Sequence, residues 1–214
     1  MHRLRQLSVL ALAVVAGAIG AATPAFAASN PTPFDVNLVR NPGFEDGVGT
    51  TGYSSVSIPH WDTLGTNATV VKYGSPEFPT RAEADRIGGG RKFLACGPDE
   101  TDGIAGQLVR VQGRRNAIDG GHVRVTLKAR LAGYADQNDI GRVWIRFTSP
   151  ESVDLGTLYL SDVSGTDNRF VSRSASRIVP VGTTHMYVYA QGLRYDGAYC
   201  DAYFDNIRLI LKHV

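Results

Sequence analysis

The sequence has little cysteine, no clear excess of charge of either sign and none of the common short catalytic motifs. It contains two cysteines and 22 basic against 20 acidic residues, a net charge of +2. Two of the basic residues, Arg3 and Arg5, lie in the predicted leader described below, so 20 basic residues balance 20 acidic ones in the rest of the chain. A neutral chain has no bulk attraction for nucleic acid, so nucleic-acid binding is not expected.

Motifs of well-known enzyme classes are missing as well. The chain has no Gly-x-Ser-x-Gly turn, no His-Glu-x-x-His motif, no Cys-x-x-Cys pair and no phosphate-binding loop; residues 88–90 are glycines without the spacing of such a loop. The histidines outside the leader share no metal-ligand spacing; they are His60, His122, His185 and His213. We therefore predict a protein that is not an enzyme of these classes.

Residues 1–27 have the pattern of a secretion signal. A short basic start precedes an apolar run over residues 7–22, and Ala25-Phe26-Ala27 has the small-x-small form that signal peptidase cleaves. A membrane anchor is the alternative for such a run, but the break at Thr23-Pro24 favours a signal peptide that is removed. The sequence thus predicts a secreted, bacterial protein that does not insert into a membrane after cleavage.

The remainder of the chain shows no shift in composition and no internal repeat, so one domain is expected. Residues 28–34 contain two prolines and are predicted to form a short extended linker. Residues 35–214 form the predicted domain.

Cys96 and Cys200 are the two cysteines of the sequence. In an oxidising compartment two thiols usually pair, so export predicts a disulfide between them. Two buried free cysteines are the alternative, because a single pair carries no spacing motif.

Alternation of apolar and polar residues with period two dominates the domain. In residues 122–130 the odd positions are apolar up to Ala129 and the even ones polar, which is typical of a strand with one face in a core. Glycine-rich and aspartate-rich turns separate such segments. The pattern recurs at residues 69–73, 108–111, 142–148, 185–191 and 203–211. The predicted fold is all-β, an antiparallel β-sandwich of the jelly-roll type.

Three short segments of the domain resemble a known family. Residues 37–47 read Asn-Leu-Val-Arg-Asn-Pro-Gly-Phe-Glu-Asp-Gly, residues 59–61 read Pro-His-Trp, and residues 202–209 read Ala-Tyr-Phe-Asp-Asn-Ile-Arg-Leu. Together they are similar to the galactose-binding-like jelly rolls, especially the carbohydrate-binding modules of families 4 and 9. The resemblance covers nearly the whole domain and implies a non-catalytic module that binds a polysaccharide or oligosaccharide.

The same resemblance implies a structural calcium ion. In that family acidic side chains and backbone carbonyls at the two ends of the domain hold the ion, which assigns Glu45 and Asp205 as ligands, with Asp46 as a substitute for Glu45. Calcium takes about six to eight oxygens and accepts carbonyls from a turn such as Pro42-Gly43. The alternative is that Glu45 caps a turn and Asp205 hydrogen-bonds its neighbours.

Strand alternation predicts the side chains of a sugar-binding groove. Where the odd positions of residues 142–148 and the even positions of residues 185–191 face the core, the others must face outward. The predicted ligand-binding residues are Trp144, Arg146, Tyr187, Tyr189, Gln191 and Arg124. Aromatic rings stack on sugar rings while arginine and glutamine hydrogen-bond the hydroxyls.

Placing these residues in one groove rests on strand pairing. The strands around residues 125 and 145 are expected to pair as a hairpin, and the resemblance adds the strand at residues 185–191 to the same sheet. The alternative is that a loop covers Trp144 and that Tyr187 and Tyr189 are ordinary cross-strand partners.

Two other functions stay open at this stage. A jelly roll also hosts polysaccharide lyases and hydrolases, in which a tyrosine acts as base and an arginine neutralises a uronate. An envelope or adhesion protein that binds a protein partner is the third possibility.

Overall fold

The computed structural model describes residues 32–98 and 101–214, so the predicted leader at residues 1–27 and most of the predicted linker lie outside the described residues. Within these residues, nine strands, two α-helices and a 3-10 helix at Gln112–Arg114 follow one another. The strands and α-helices are β1 (Thr69–Lys72), α1 (Arg81–Ile87), β2 (Lys92–Pro98), β3 (Asp102–Arg110), α2 (Arg115–Asp119), β4 (Val123–Gly133), β5 (Ile140–Thr148), β6 (Asp154–Tyr159), β7 (Val171–Ile178), β8 (His185–Leu193) and β9 (Tyr199–His213).

The strands form two sheets. The first has five strands in the order β1-β2-β9-β4-β7, and the second has four in the order β3-β8-β5-β6, with every pair antiparallel. The predicted antiparallel β-sandwich is therefore confirmed. Each of the six segments with period-two alternation lies in, or within a residue or two of, one of these strands.

The main core lies between the two sheets and has the alternation that the sequence predicts. Side chains at alternate positions are fully buried, and burying each one larger than alanine contributes roughly 1.5–3 kcal/mol. From the four-stranded sheet they are Val143, Ile145, Phe147, Met186, Val188 and Ala190; from the five-stranded sheet they include Val125, Leu127, Leu131, Leu209 and Leu211.

The predicted hairpin between β4 and β5 is wrong. β4 pairs with β7 and β9, whereas β5 pairs with β6 and β8, so the two strands lie in different sheets. The connection between them crosses one end of the sandwich, held by the buried carboxylate of Asp139. That carboxylate accepts backbone N–H bonds from Tyr195 at 2.6 Å, Asp196 at 2.9 Å and Asp201 at 2.7 Å. A turn-rich connection of this length suits a hairpin and a crossing equally, so the sequence did not distinguish them.

A second, smaller core covers part of the outer face of the five-stranded sheet. α1 packs there, with the Thr80 hydroxyl accepting from the Glu83 N–H at its start and Gly88 ending it at φ 64°. Tyr73, Phe93 and their aromatic neighbours fill this core. None of the helices within residues 32–98 and 101–214 is long and apolar enough to cross a membrane.

Candidate functional site

A row of aromatic side chains crosses the outer face of the four-stranded sheet. Trp144 on β5 lies directly opposite Tyr189 on β8 and Tyr159 on β6. The Trp144 ring stacks on Tyr189 at 5.0 Å between centroids and on Tyr159 at 5.9 Å, with interplanar angles of 30° and 25°. Tyr187, two residues before Tyr189, stacks on it at 6.3 Å and 11°. The four rings form one nearly continuous layer.

Gly106 on the neighbouring strand β3 makes room for this layer. It lies opposite Tyr189, and a side chain there would place a Cβ 3.0 Å from the tyrosine ring. The glycine thus lets the Tyr189 ring lie across the neighbouring strand. Burial raises the pKa of the Tyr189 hydroxyl above its ordinary value, so it stays protonated at neutral pH.

Two arginines flank the aromatic row at fixed positions. Arg146 lies opposite Tyr187, and its Nε donates to Asp154 at 2.9 Å. Arg142 lies opposite Gln191 and donates to both carboxylate oxygens of Asp162, at 3.0 and 2.7 Å. Acidic partners thus hold both guanidinium groups beside the rings.

We call this surface the aromatic face. It consists of Trp144, Tyr159, Tyr187, Tyr189, Arg142, Arg146 and Gln191. Gln191 donates its amide to Asp102 at 3.2 Å, so one of its N–H groups already has a partner.

The structure brings five of the six predicted groove residues together on this face. Trp144, Tyr187 and Tyr189 are half-buried there, with Arg146 and Gln191 beside them. Sequence reasoning missed Tyr159 and Arg142. Tyr159 is the last residue of the edge strand β6, which has no period-two pattern. Arg142 is an even position of residues 142–148, so alternation predicts that it faces outward, and this signal could have found it.

Arg124, the sixth predicted residue, does not belong to the aromatic face. It lies on β4, in the other sheet, and faces outward on the opposite side of the sandwich. The cause is the wrong hairpin: alternation correctly predicts that Arg124 faces outward, but not which sheet carries it.

The outer face around Arg124 carries basic residues opposite one another. Arg124 is paired in register with Lys212, and Lys128 with Arg208. Directly opposed like charges destabilise an antiparallel pair. Replacing Lys128 by glutamate should therefore raise the free energy of unfolding by about 0.5 kcal/mol, measured by urea denaturation at low salt. The gain should shrink at high salt; a lower stability for the variant would contradict the expectation.

Glu45, one of the two predicted calcium ligands, lines a small cavity of about 320 Å³, and Asp205, the other, lies behind Gly43 and Gly89 in the wall of that cavity. Glu45 Oε1 accepts from the backbone N–H groups of Arg91 at 2.7 Å and Lys92 at 2.8 Å. Asp205 is fully buried; its Oδ2 accepts from the Tyr73 hydroxyl and its Oδ1 from the backbone N–H of Asn206, both at 2.6 Å. Burial raises the pKa of Asp205 well above its ordinary value.

Three glycines allow the two carboxylates to approach the cavity. A Cβ at Gly43 would lie 3.3 Å from Asp205 Oδ1, one at Gly89 2.5 Å from Asp205 Oδ2, and one at Gly90 2.7 Å from Glu45 Oε1. Two carboxylates with backbone carbonyls of such glycine turns are the oxygen donors that calcium takes. No group of three or more His, Cys, Asp or Glu side chains in the described ranges could hold a metal ion, so carbonyls would have to supply most of the ligands.

Comparison with known proteins finds similarity to solved structures but not to known sequences. The sequence matches no protein-family model, and no curated protein matches it either. The Stig cyclase Fisc from Fischerella sp. TAU, solved in complex with (3Z)-3-(1-methyl-2-pyrrolidinylidene)-3H-indole, is 16% identical, with a TM-score of 0.59; the match covers 83% of this chain and 98% of that one. The enzymatically active domain of tailspike protein 4 from bacteriophage CBA120 is 14% identical, with a TM-score of 0.51, and the match covers 82% of this chain and 21% of that one. TmCBM61, solved with β-1,4-galactotriose, is 14% identical at a TM-score of 0.46, over 83% of this chain and 99% of that one.

At 16% and 14% identity, the similarity to the cyclase and to the tailspike domain establishes the β-sandwich fold alone. The fold that the sequence resemblance implies is therefore confirmed, whereas membership of carbohydrate-binding families 4 and 9 has no support. A cyclase and a tailspike enzyme domain share the fold, so the fold by itself does not decide between binding and catalysis.

Proposed function

We propose that this protein is secreted and binds a polysaccharide on the aromatic face without transforming it. The observation that carries the proposal is the aromatic row of Tyr189, Trp144 and Tyr159 on three adjacent strands. Strands lie about 4.8 Å apart, so the row extends roughly 10 Å across the sheet. Flat apolar rings of this extent suit the C–H faces of successive sugar units better than a single small ligand.

The polar groups of the face favour the same ligand class. Arg142 and Arg146 are each held by an acidic partner, which reduces the side-chain entropy that binding must remove. The Nη groups of Arg146 make no hydrogen bond to any residue the structure describes. They are therefore available to donate to sugar hydroxyls next to the ring of Tyr187.

A panel of polysaccharides tests the proposal. The purified protein without its leader should be retarded in native gels that contain one class of polysaccharide, and the polymer should acquire no new reducing or unsaturated ends. New ends would show a lyase or hydrolase, and would refute the non-catalytic part of the proposal. If no polysaccharide of the panel retards the protein and none acquires new ends, carbohydrate binding is refuted and a protein partner is favoured.

Calcium is the second part of the proposal. Glu45 and Asp205 would hold the ion together with carbonyls of the glycine turns around them, and the bound ion would neutralise a buried carboxylate and join the two ends of the domain. The support for this assignment is that Gly43, Gly89 and Gly90 stand where a Cβ would crowd the carboxylate of Asp205 or Glu45. The ion would have a structural role, on the opposite sheet from the aromatic face.

Calcium added after a chelator should raise the melting temperature by about 5–10 °C. An ion at about 100 times its dissociation constant adds about 2.7 kcal/mol, and each kcal/mol corresponds to about 2–4 °C for a domain of this size. Glu45→Gln should reduce the increase, and Asp62→Asn, at an exposed aspartate that does not line the cavity, should leave it unchanged. A melting temperature that is insensitive to calcium would contradict the assignment.

A further inference from the structure

A cavity of about 260 Å³ lies on the side of the five-stranded sheet that faces away from the main core. Tyr199 and Asp201 reach it from β9, because they alternate with Cys200 and Ala202, which belong to the main core. The other lining residues come from loops. We call it the tyrosine pocket; it is lined by Tyr53, Glu77, Phe78, Tyr134, Gln137, Gly197, Ala198, Tyr199 and Asp201.

The walls of the tyrosine pocket are aromatic. The ring of Tyr53 lies 5.5 Å from that of Tyr199 and 6.1 Å from that of Phe78, both edge to face. The Tyr53 hydroxyl donates to Glu77 at 2.7 Å and the Tyr199 hydroxyl to the Gly52 carbonyl at 2.9 Å. These two hydroxyl protons are already engaged, so the two tyrosines offer ring surface to the cavity rather than donors.

Two acceptor atoms at the pocket have no donor among the residues that the structure describes. Asp201 is only 9% exposed; its Oδ1 accepts from the Tyr203 hydroxyl, and its Oδ2 has no hydrogen-bond partner within residues 32–98 and 101–214. Gln137 Oε1 is buried and likewise has no partner among the described residues. A buried acceptor without a donor costs about 1–3 kcal/mol. That cost applies to Gln137 Oε1, whereas Asp201 Oδ2 is unpaired without being fully buried. Both atoms can accept from a ligand that donates hydrogen bonds.

The charged side chains at the pocket are all acidic. Glu77 and Asp201 line it, the carboxylate of Asp139 lies close behind, and none of the lining residues is basic. Burial, with the nearby charges of Asp139 and Glu77, raises the pKa of Asp201 to about 6. With this pKa the carboxylate is mostly ionised at pH 7.5, and no basic side chain of residues 32–98 and 101–214 forms an ion pair with it. A cationic ligand would stabilise it.

We propose that the tyrosine pocket binds an organic ammonium group that carries N–H donors. Tyrosine faces attract a cation by about 0.5–2 kcal/mol, and Asp201 Oδ2 and Gln137 Oε1 supply acceptors for its protons. A metal ion suits the pocket less well, because its walls are aromatic and only two carboxylates line it. The volume limits the ligand to a small amine or to the amine end of a larger molecule.

Benzylammonium and benzyl alcohol test the proposal because they have the same shape and differ in charge. Titration followed by nuclear magnetic resonance at pH 7.5 should give a dissociation constant at least about tenfold lower for benzylammonium. Tetramethylammonium, which has no N–H, should bind more weakly than benzylammonium. Equal affinity for benzylammonium and benzyl alcohol would overturn the proposal.

Variants assign the binding to this pocket. Glu77→Gln and Tyr53→Ala alter exposed side chains, and each should weaken benzylammonium binding several-fold, as should Asp201→Asn, which retains an acceptor for Tyr203. The matched control is Tyr159→Ala on the aromatic face, where the tyrosine is 52% exposed compared with 60% for Tyr53. Unchanged affinity in Glu77→Gln and Tyr53→Ala would overturn the assignment, whatever the polysaccharide panel shows.

The pH dependence gives a further readout. The charged and titratable groups around Asp201 are Glu77, Asp139, Tyr53, Tyr199 and Tyr203, and the tyrosines stay neutral below pH 8. Affinity for benzylammonium should therefore rise as the pH increases from 5 to 7.5 and Asp201 loses its proton. A flat profile would show that Asp201 does not contact the cation.

Discussion

Replacing Cys96 and Cys200 together by alanine is expected to lower the free energy of unfolding by about 4 kcal/mol. The two residues form the predicted disulfide between β2 and β9, with a sequence separation of 104. A cross-link that closes a loop of about 100 residues restricts the unfolded chain by up to about 4.7 kcal/mol, and residual structure in the unfolded state reduces this value. Urea denaturation of the wild type and the double variant measures the difference.

The wild type with a reducing agent is the matched control, because it removes the same cross-link without changing the side chains. It should unfold at nearly the same urea concentration as the double variant. A double variant that unfolds at the same concentration as the oxidised wild type would show that the cross-link contributes little to stability.

The position of the disulfide also requires glycine at two positions of the opposite sheet. A Cβ at Gly192 would collide with the Cys96 side chain, 2.5 Å from its Sγ, and one at Gly103 would collide with the Cys96 backbone carbonyl and lie 2.8 Å from the Sγ. These positions of β8 and β3 therefore need glycine, because Cys96, with its backbone and its disulfide, fills the space between the sheets. The sequence shows the two cysteines and export suggests that they pair, but only the packing of the two sheets explains the glycines.

Period-two alternation predicted most of the strands that line the core, but not β2, which is buried on both faces and therefore does not alternate. It works for β4, β5, β8 and the second half of β9 because one face of each is fully buried and the other is more exposed. It could not find β6 or β7, which have few buried residues; β7 alternates serine with arginine and alanine at the edge of its sheet. Such edge strands are held by backbone pairing, which leaves a weak signal in the side chains.

Alternation predicts which face of its own sheet a side chain occupies, and it says nothing about which sheet that is. For this reason the prediction that Trp144 and Tyr189 face outward is correct, whereas Arg124 was wrongly assigned to the same face: it faces outward from the other sheet. The tyrosine pocket escaped prediction for a related reason. Tyr53, Gln137 and Asp201 come from separate loops and from the start of β9, so no local pattern connects them.

The proposed sugar site predicts a large effect for one substitution. Trp144→Ala should weaken binding of the polysaccharide found by the panel about 100-fold, because the central ring of the row stacks with both neighbours and a central aromatic anchor of a binding site contributes about 2–4 kcal/mol. Affinity electrophoresis over a range of polysaccharide concentrations measures the change. Tyr159→Ala, at the exposed end of the row, should weaken binding less, by about tenfold.

Stability measurements distinguish a binding role for Trp144 from a packing role. The ring is half-buried on the outer face, so its loss should lower the free energy of unfolding by about 1 kcal/mol, well below the 3–5 kcal/mol typical of a buried core aromatic. Tyr195→Ala, at an exposed tyrosine outside the aromatic face, is the matched control and should change neither property. If Trp144→Ala keeps its affinity and loses 3 kcal/mol or more, the tryptophan is a packing residue, and Tyr187 and Tyr189 are cross-strand partners that support it.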